Sequence, residues 1–248
     1  MKSVLFKHRS IRKFRPTPIP EEVLHQLLKA ASRASTCGNM QLYSLVVTRD
    51  AVLRERLAPC HFNQPMVREA PCLVTVCADV HRFSMWCEQR GAEPAYDNFA
   101  WFLNAATDAL LAAQNLAVEA ETEGLGICYL GTTLYTAGDI SRILELPKGV
   151  IPVTTLVVGY PDESPELTDR LPLEAVVHYE KYTDYTAAEI DELWAEREES
   201  ELTRRLLEEN GLPNLARIFT ERRYVRKDNL AISASYLELL REKGFFNQ

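Results

Sequence analysis

Runs of apolar and β-branched residues along the chain predict a small set of strands. YSLVVT (Tyr43–Thr48), CLVTVC (Cys72–Cys77) and VTTLVVGY (Val153–Tyr160) each have the length and composition of a strand. The TLVV portion of the third run is apolar enough for burial on both faces of a sheet. A shorter run, Ile127–Leu130, follows two closely spaced glycines and predicts a fourth strand.

Apolar residues spaced at the helical period predict the helices. The first, within PIPEEVLHQLLKAASRAS, carries an apolar stripe from Val23 to Ala31, and the glutamates of its first turn complement the positive end of the helix dipole. Thr186 and Glu189 form a capping-box pattern, which begins a charged helix that runs to Asn210. Further helices are predicted over 97–123, 138–146 and 229–243.

The most apolar long segment is Asn98–Val118, and Asp108 interrupts it. A membrane-spanning helix needs about 20 residues with few or no charges. The interruption, together with the polar Asn104, Gln114 and Asn115, therefore favours a helix of a globular domain. Because this helix is apolar on nearly every face, we expect it to lie in the core.

Several helices around a few strands, without a regular alternation of strand and helix, favour an α+β fold over a doubly wound α/β fold. No G-x-G-x-x-G follows a strand and G-K-[ST] is absent, so neither a Rossmann dinucleotide site nor a P-loop is predicted. At 248 residues the chain suits one large domain or two small ones.

Composition and charge narrow the class of protein. The chain is 46% hydrophobic and 25% charged, as in ordinary globular proteins, and its formal net charge is -7. An acidic total argues against a dedicated nucleic-acid binder, which needs cationic surface to displace counterions. The six cysteines include no C-x-x-C pair, so no zinc site is predicted. Without a signal-peptide pattern, a reducing cytoplasm is the expected location.

The segment HRSIRKFRP, from His8 to Pro16, is strongly basic although the chain is acidic, and the first twenty residues contain no Asp or Glu. If the segment is extended, His8, Ser10 and Arg12 share one side, and this row of donors suits a phosphate with a second polar group nearby. Two other interpretations remain open. One is a solvated basic stretch, and the other is a mitochondrial targeting helix, which prolines 16, 18 and 20 would cut short.

Three other segments offer groups that could approach a ligand, and each also has an ordinary structural interpretation. STCGNMQ (Ser35–Gln41) carries small and amide side chains for hydrogen bonds, or is simply a helix-to-strand loop. YLGTT (Tyr129–Thr133) follows a strand, and Gly131 either admits a ligand close to the backbone or forms a turn. Arg170 stands in a loop, where a lone arginine is more often a surface residue. The sequence contains no convincing hydrolytic triad or paired-carboxylate pattern.

Five segments, in this order along the chain, resemble the FMN-dependent nitroreductase superfamily. They are most similar to its oxygen-insensitive NADPH nitroreductase and flavin reductase branch. The first four cover most of residues 6–182, and the fifth is similar to the last helix of the family. The segments are HRSIRKF, AASRASTCGNMQ, AQNLAVEAETEGLGICYLG, VTTLVVGYPDESPELTDRLPLEAVVHYEKY and YLELLREKGFF.

The resemblance implies a mixed β-sheet packed between helices, a homodimer, and FMN bound where the subunits meet. Residues 1–185 would form the FMN-binding core, and residues 186–248 a C-terminal helical extension of the same domain, exchanged with the partner as cover and dimer arm. The chain would pass hydride from NADPH or NADH to a nitroaromatic, quinone or similar small acceptor by a ping-pong mechanism. No catalytic side chain is expected, because flavin N5 carries the chemistry. No metal, nucleic acid or membrane partner is expected either.

The resemblance also implies roles for individual residues. His8 and Ser10 would approach the FMN phosphate, Arg12 the N1/O2 side of the ring, and Arg9 belongs to the same motif. Arg170 is similar to a phosphate-binding arginine of the family. The positions that match ring contacts of the family are Gln64, Tyr129, Leu130, Gly131 and Thr132. The positions that match the loop reaching the flavin from the other subunit are Ser35, Thr36, Cys37, Asn39 and Gln41.

The sequence departs from the family pattern at two positions. Thr168 stands where close relatives often have a second phosphate-binding lysine, and Thr132 replaces a frequent second glycine. Arg217, Arg222 and Arg223 are candidates for the 2′-phosphate of NADPH, although a solvated basic run fits them as well. Alternative functions are a flavin reductase that releases reduced FMN, a non-catalytic flavin-binding module, and a nucleic-acid contact through the N-terminal arm.

Overall fold

The structure is a computed structural model that describes residues 3–247. Its strands are β1 (Tyr43–Thr48), β2 (Cys72–Asp79), β3 (Gly126–Leu130) and β4 (Val150–Gly159). They form one sheet in the order β1-β2-β4-β3, and every neighbouring pair is antiparallel. The helices are α1 (Glu21–Ala31), α2 (Ala51–Leu57), α3 (Met66–Glu69), α4 (His81–Gln89), α5 (Phe99–Thr122), α6 (Ala137–Ile143), α7 (Ala187–Glu199), α8 (Glu201–Asn210), α9 (Leu215–Ile218) and α10 (Arg226–Glu242).

The four predicted strands are all present, with changes only at their ends. β1 has the predicted bounds, β2 continues past Cys77 to Asp79, and β3 and β4 begin earlier than predicted. Every residue of β4 is buried, which confirms the prediction of burial on both faces. Within residues 3–247, the parallel component of the sheet is one bridge between Ser10 and Ile127 beside β3.

The sheet lies between two helical layers, each with its own apolar core, and the predicted α+β class is confirmed. On one face, α1, α5 and the end of α10 pack against the sheet around residues such as Leu27 and Leu116. On the other face, α2, α3 and α6 pack around residues such as Ile140. Alternate residues of β2 point into the two layers, so Val74 belongs to the first core and Leu73 to the second. These elements form the first of two structural units.

The prediction that α5 is buried in the core is correct for most faces of the helix and wrong for one face. Leu103, Leu110 and Leu111 are 51%, 49% and 44% exposed. They recur at helical spacing and therefore form one exposed apolar surface, here called the α5 stripe. No helix within residues 3–247 is long and apolar enough to cross a membrane.

The second structural unit, Leu167–Ala231, is helical. The predicted capping box at Thr186 is confirmed, but the prediction of one helix from there to Asn210 is wrong. The chain leaves helical geometry at Ser200, where ψ is 149°. The Ser200 hydroxyl accepts from the Thr203 N–H at 3.1 Å and caps α8, which explains why a new helix begins there. The predicted division of the chain at residue 185 stays a prediction.

Four short helices, α2, α3, α4 and α9, have no counterpart among the predicted elements. α2 begins after Asp50, whose carboxylate accepts from the Leu53 N–H at 2.7 Å. α4 directly follows β2, where the carboxylate of Asp79 accepts from the Arg82 N–H at 3.2 Å. With at most nine residues each, they are too short for an apolar stripe to reveal them. The helices predicted over 138–146 and 229–243 are present as α6 and α10, with shifted ends.

Asp108, the charge that interrupts the apolar sequence of α5, is buried and holds the connection between α1 and β1. Its two carboxylate oxygens accept from the backbone N–H groups of Cys37 at 2.9 Å and Leu42 at 3.1 Å. Hydrogen bonds to an ionised group are stronger than neutral ones. Two such bonds fix both ends of the loop between these residues on α5.

We predict that Asp108→Ala lowers the free energy of unfolding by about 3 kcal/mol, because it leaves two backbone donors without their acceptor. Urea unfolding followed by circular dichroism measures this. Thr107→Ala is the matched control: its exposed hydroxyl bonds only to the Leu103 carbonyl one turn earlier, so the expected change is within about 0.5 kcal/mol. Equal stability of the Asp108 and Thr107 variants would contradict a structural role for the carboxylate.

Candidate functional site

The basic segment at the N-terminus runs along the edge of β3. Ser10 forms a parallel bridge with Ile127, and the Ile11 N–H donates to the Ile127 carbonyl at 2.9 Å. The Ile11 side chain is buried against Gly126, where an added Cβ would lie 2.6 Å from Ile11 Cγ1. Only glycine permits this approach, so the backbone of the segment is fixed in an extended form against β3.

Two carboxylates from distant parts of the chain hold this segment. Glu163 accepts from the backbone N–H groups of Arg12 at 2.5 Å and Lys13 at 3.0 Å. Glu121 on α5 lies 2.6 Å from Nδ1 of His8. No sequence pattern marks either carboxylate, because an acid-free segment gives no sign of where in the chain its partners stand. They compensate part of its positive charge.

The remaining cationic groups are available to an anion. Arg9 Nε is buried without a hydrogen-bond partner, and no hydrogen bond or ion pair within residues 3–247 engages the Arg12 guanidinium. Burial raises the pKa of the Cys128 thiol on β3, while the nearby Arg12 charge opposes this rise. Arg12 lies close to β3, because the N–H of the preceding Ile11 donates to the Ile127 carbonyl at 2.9 Å. An orphaned guanidinium nitrogen and an unpaired guanidinium fit a phosphate or an anionic ring.

The end of β3 carries the next group of predicted residues. The Tyr129 hydroxyl donates to Gln114 of α5 at 3.3 Å, and burial raises the pKa of Tyr129. The Leu130 side chain is buried in the second core, so only its backbone can face a ligand. Gly131 is exposed, and a Cβ there would meet no atom within 4 Å. The space in front of Gly131 is consequently open.

His61 brings Gln64 to the end of β3. Its Nδ1 lies 2.9 Å from Thr132 Oγ1, and its carbonyl accepts from Gln64 Nε2 at 3.1 Å. Gln64 and Thr132, which the family resemblance assigns to ring contacts, are thus both hydrogen-bonded to His61. His61 has no recognisable sequence signal, since it is a lone histidine outside any histidine motif.

The loop Ser35–Gln41 is mostly exposed and has an unusual backbone. Gly38, Asn39 and Gln41 have φ values of 54°, 56° and 56°, which a non-glycine residue adopts only when its surroundings compensate the cost. Part of that compensation is the Arg82 guanidinium, which donates to the Gln41 carbonyl. Within residues 3–247, no hydrogen bond or ion pair joins this loop to the basic segment. Ser35, Thr36 and Cys37 therefore share no polar contact with His8–Arg12.

The remaining candidates belong to the second unit. The Arg170 guanidinium donates to Thr168 Oγ1 at 2.7 Å, so the residue that departs from the family pattern is its partner. Arg217 pairs with Glu221, which raises the pKa of Arg217. The Arg223 guanidinium lies 5.7 Å from the ring centre of Phe219, and Arg222 is exposed.

No group of three or more His, Cys, Asp or Glu side chains within residues 3–247 is placed to hold a metal ion.

Similarity to known proteins points to redox chemistry. An FMN reductase (NADPH) from Bacillus subtilis is 34% identical over 180 residues, which is 72% of each chain.

Solved structures match over nearly the whole length. A Bacteroides fragilis protein provisionally described as an oxidoreductase has a TM-score of 0.97 and 49% identity, covering 98% of this chain and 99% of its own. The NADPH:FMN oxidoreductase of Vibrio harveyi, solved with NAD+, has a TM-score of 0.81 and 26% identity, covering 99% and 98%. The family model described as "Nitroreductase family" matches residues 5–160, more than half of this sequence, and the chain belongs to that family.

Proposed function

We propose that this protein reduces nitroaromatic, quinone or similar acceptors with NAD(P)H, in ping-pong order, at an FMN bound beside β3. Family membership and the named relatives make the chain an NAD(P)H-dependent oxidoreductase with FMN as cofactor. The basic segment supports this location, because it is fixed against β3 and leaves Arg9 Nε and the Arg12 guanidinium without a hydrogen-bond partner within residues 3–247.

The donor set fits FMN. His8, Arg9 and Ser10 would hold the phosphate, and Arg12 would hold the N1/O2 side of the ring. The Glu121 carboxylate orients His8 by accepting from Nδ1, and an imidazolium that carries both ring protons would donate from Nε2 to the phosphate. Gln64, Tyr129, Leu130, Gly131 and Thr132 would line the ring, and the open space at Gly131 admits its edge.

Bound FMN would supply the hydride and electron transfer between the nicotinamide and the acceptor. The protein contributes position and charge. A guanidinium at the N1/O2 side stabilises the negative charge that reduction creates there, so Arg12 favours the reduced form. Because one open ring face would serve both partners, NAD(P)+ leaves before the acceptor enters, which is the ping-pong order. No general acid or base is required in the described site.

The assembly we propose is a homodimer formed through the α5 stripe. An exposed apolar surface of this kind marks an interaction site. The same helix carries Asp108, which holds both ends of the loop that contains Cys37. Contact between two copies of α5 would therefore bring Ser35, Thr36, Cys37, Asn39 and Gln41 to the partner's flavin. Of the predicted arm, residues 186–248, only the part before residue 232 would be exchanged, because Leu239, Leu240 and Phe245 pack in the first core of the same chain.

Discrimination between NADPH and NADH is assigned to the second unit. Arg222 and Arg223 are exposed cations suited to a 2′-phosphate, whereas Arg217 already has Glu221 as a partner. Steady-state oxidation of NADPH and of NADH by the FMN-loaded protein tests this preference. A KM lower for NADPH than for NADH is expected, and equal values would remove these arginines from cofactor selection.

A flavin reductase is the second candidate, because the Bacillus subtilis relative carries that name. The two functions differ in whether reduced FMN stays bound. FMN that remains with the protein through turnover supports the nitroreductase or quinone reductase activity, and FMN that leaves after reduction supports the flavin reductase.

The central prediction is that the purified protein, loaded with FMN, oxidises NADPH in the presence of menadione or a nitrofuran. Initial rates at several fixed acceptor concentrations should give parallel double-reciprocal lines, because the first product leaves before the second substrate binds. Intersecting lines would contradict the ping-pong order. Absence of NAD(P)H oxidation by FMN-loaded protein would leave a flavin-binding module.

We further predict that Arg12→Ala weakens FMN binding roughly tenfold, the effect of losing one charge-assisted hydrogen bond. Quenching of FMN fluorescence on titration with protein measures the Kd. Lys13→Ala is the matched control, because Lys13 is the neighbouring exposed cation and its N–H also binds Glu163. If both variants bind FMN like the parent protein, Arg12 is only a surface residue.

For the dimer, we expect Leu110→Glu to produce monomers at micromolar concentration, because a carboxylate would be buried in an apolar interface. Light scattering after size-exclusion chromatography gives the mass. Val52→Glu on α2 is the control, since Val52 is 70% exposed outside the α5 stripe and should leave the dimer intact. A parent protein that is monomeric while it retains FMN would overturn the shared-site arrangement.

A further inference from the structure

His61 is fully buried and lies at the centre of the contacts around the end of β3. Its Nδ1 is 2.9 Å from Thr132 Oγ1, and its Nε2 is buried without a hydrogen-bond partner within residues 3–247. Its carbonyl accepts from both the backbone N–H of Gln64 at 3.2 Å and the side-chain Nε2 of Gln64 at 3.1 Å. One residue thus contacts two side chains that stand at the proposed flavin ring.

The backbone between His61 and Gln64 is strained. Phe62 and Asn63 both have φ of 54°, in the left-handed region that costs a non-glycine residue energy. Hydrogen bonds hold them there: the Asn63 N–H donates to the Ala58 carbonyl at 2.9 Å, and the Asn63 side chain accepts from Arg68 at 2.8 Å. Strain that persists in a fixed turn is typical of functional sites. Here it reverses the chain so that the Gln64 amide returns to the His61 carbonyl.

Burial keeps the imidazole neutral, because desolvation lowers the pKa of His61 to about 4. In one tautomer of the neutral ring, Nδ1 accepts a hydrogen bond from the Thr132 hydroxyl. In the other, Nδ1–H donates a hydrogen bond to Thr132 Oγ1. In the first case Thr132 presents only acceptor capacity to a ligand, and in the second it keeps a donor. The tautomer of His61 therefore decides whether Thr132 can donate a hydrogen bond to a ligand.

We propose that His61 is a positioning residue, which orients the Thr132 hydroxyl with its side chain and holds the Gln64 amide with its carbonyl, so that both meet the flavin ring in one fixed geometry. The proposal rests on the proposed function, since it needs FMN beside β3. His61 itself does not contact the ring in this arrangement. Its effect is transmitted through the two residues that do.

The test compares FMN binding, the visible absorption spectrum of bound FMN and its reduction potential among variants at His61, Thr132 and His25. His61→Phe removes Nδ1 and fills the buried space, and we expect a roughly tenfold weaker Kd with a shifted absorption band, as when one hydrogen bond is lost. His61→Asn restores a polar atom near the Nδ1 position and should recover most of the loss. His25→Asn, at an exposed histidine of α1, is the control and should match the parent protein.

Thr132→Val keeps His61 intact and guards against a His61 variant that fails to fold. It should also weaken FMN binding, and the double variant with His61→Phe should lose less than the product of the two single losses, because the residues act through one contact. If either folded variant, His61→Phe or Thr132→Val, matches the parent in Kd, spectrum and potential, the positioning role is wrong. A double variant whose loss of FMN affinity equals the product of the two single losses would also overturn the positioning role.

A readout without FMN separates this proposal from the proposed function. In the apoprotein, the His61 Cε1–H resonance should stay at its neutral position between pH 7 and pH 5, because burial lowers the pKa of His61 to about 4. Titration of His61 in this range would contradict a buried ring that orients Thr132. Failure of the parent protein to bind FMN ends the proposed function and with it the positioning role. FMN binding that is insensitive to His61 and Thr132 ends the positioning role alone.

Discussion

The contact between Ile11 and Gly126 is the constraint on which the site depends. It exists because β3 has no side chain at that point, so the extended N-terminal segment lies close enough to bridge Ile127. With the backbone fixed there, alternate residues have no choice of side: Ile11 enters the core while Arg12 faces outward beside β3. A basic segment that sequence alone leaves open to several interpretations thereby has one fixed position, and we propose it as one wall of the FMN site.

Helix α5 supplies the other support, and it does so with the few residues that break its apolar pattern. Asp108 holds the loop around Cys37, Gln114 binds the Tyr129 hydroxyl, and Glu121 binds His8. Its α5 stripe faces outward at the same time. One long helix therefore holds three site segments in a common frame and offers the surface through which a second copy would complete the site.

The charges of the site are arranged so that cations remain in excess where an anion would bind. Glu163 engages backbone N–H groups and leaves the guanidinium of Arg12 without a partner within residues 3–247. The polar groups at the end of β3 are uncharged instead: Gln64, Thr132 and a neutral His61. This division suits a cofactor with a charged tail and a ring whose charge changes with its redox state.

The sequence by itself determined the strands, the long helices and the α+β class, because these follow from local apolar periodicity, and its ordered motifs indicated the family. The resemblance that these motifs carry also predicts Arg12, Gln64 and Thr132 as site residues. Only the tertiary structure decided how they are held: Glu121, Glu163 and His61 are remote in sequence from the groups they contact, so no local pattern marks them. The break at Ser200 and the exposure of the α5 stripe likewise depend on side-chain capping and packing, which the period of the sequence does not encode.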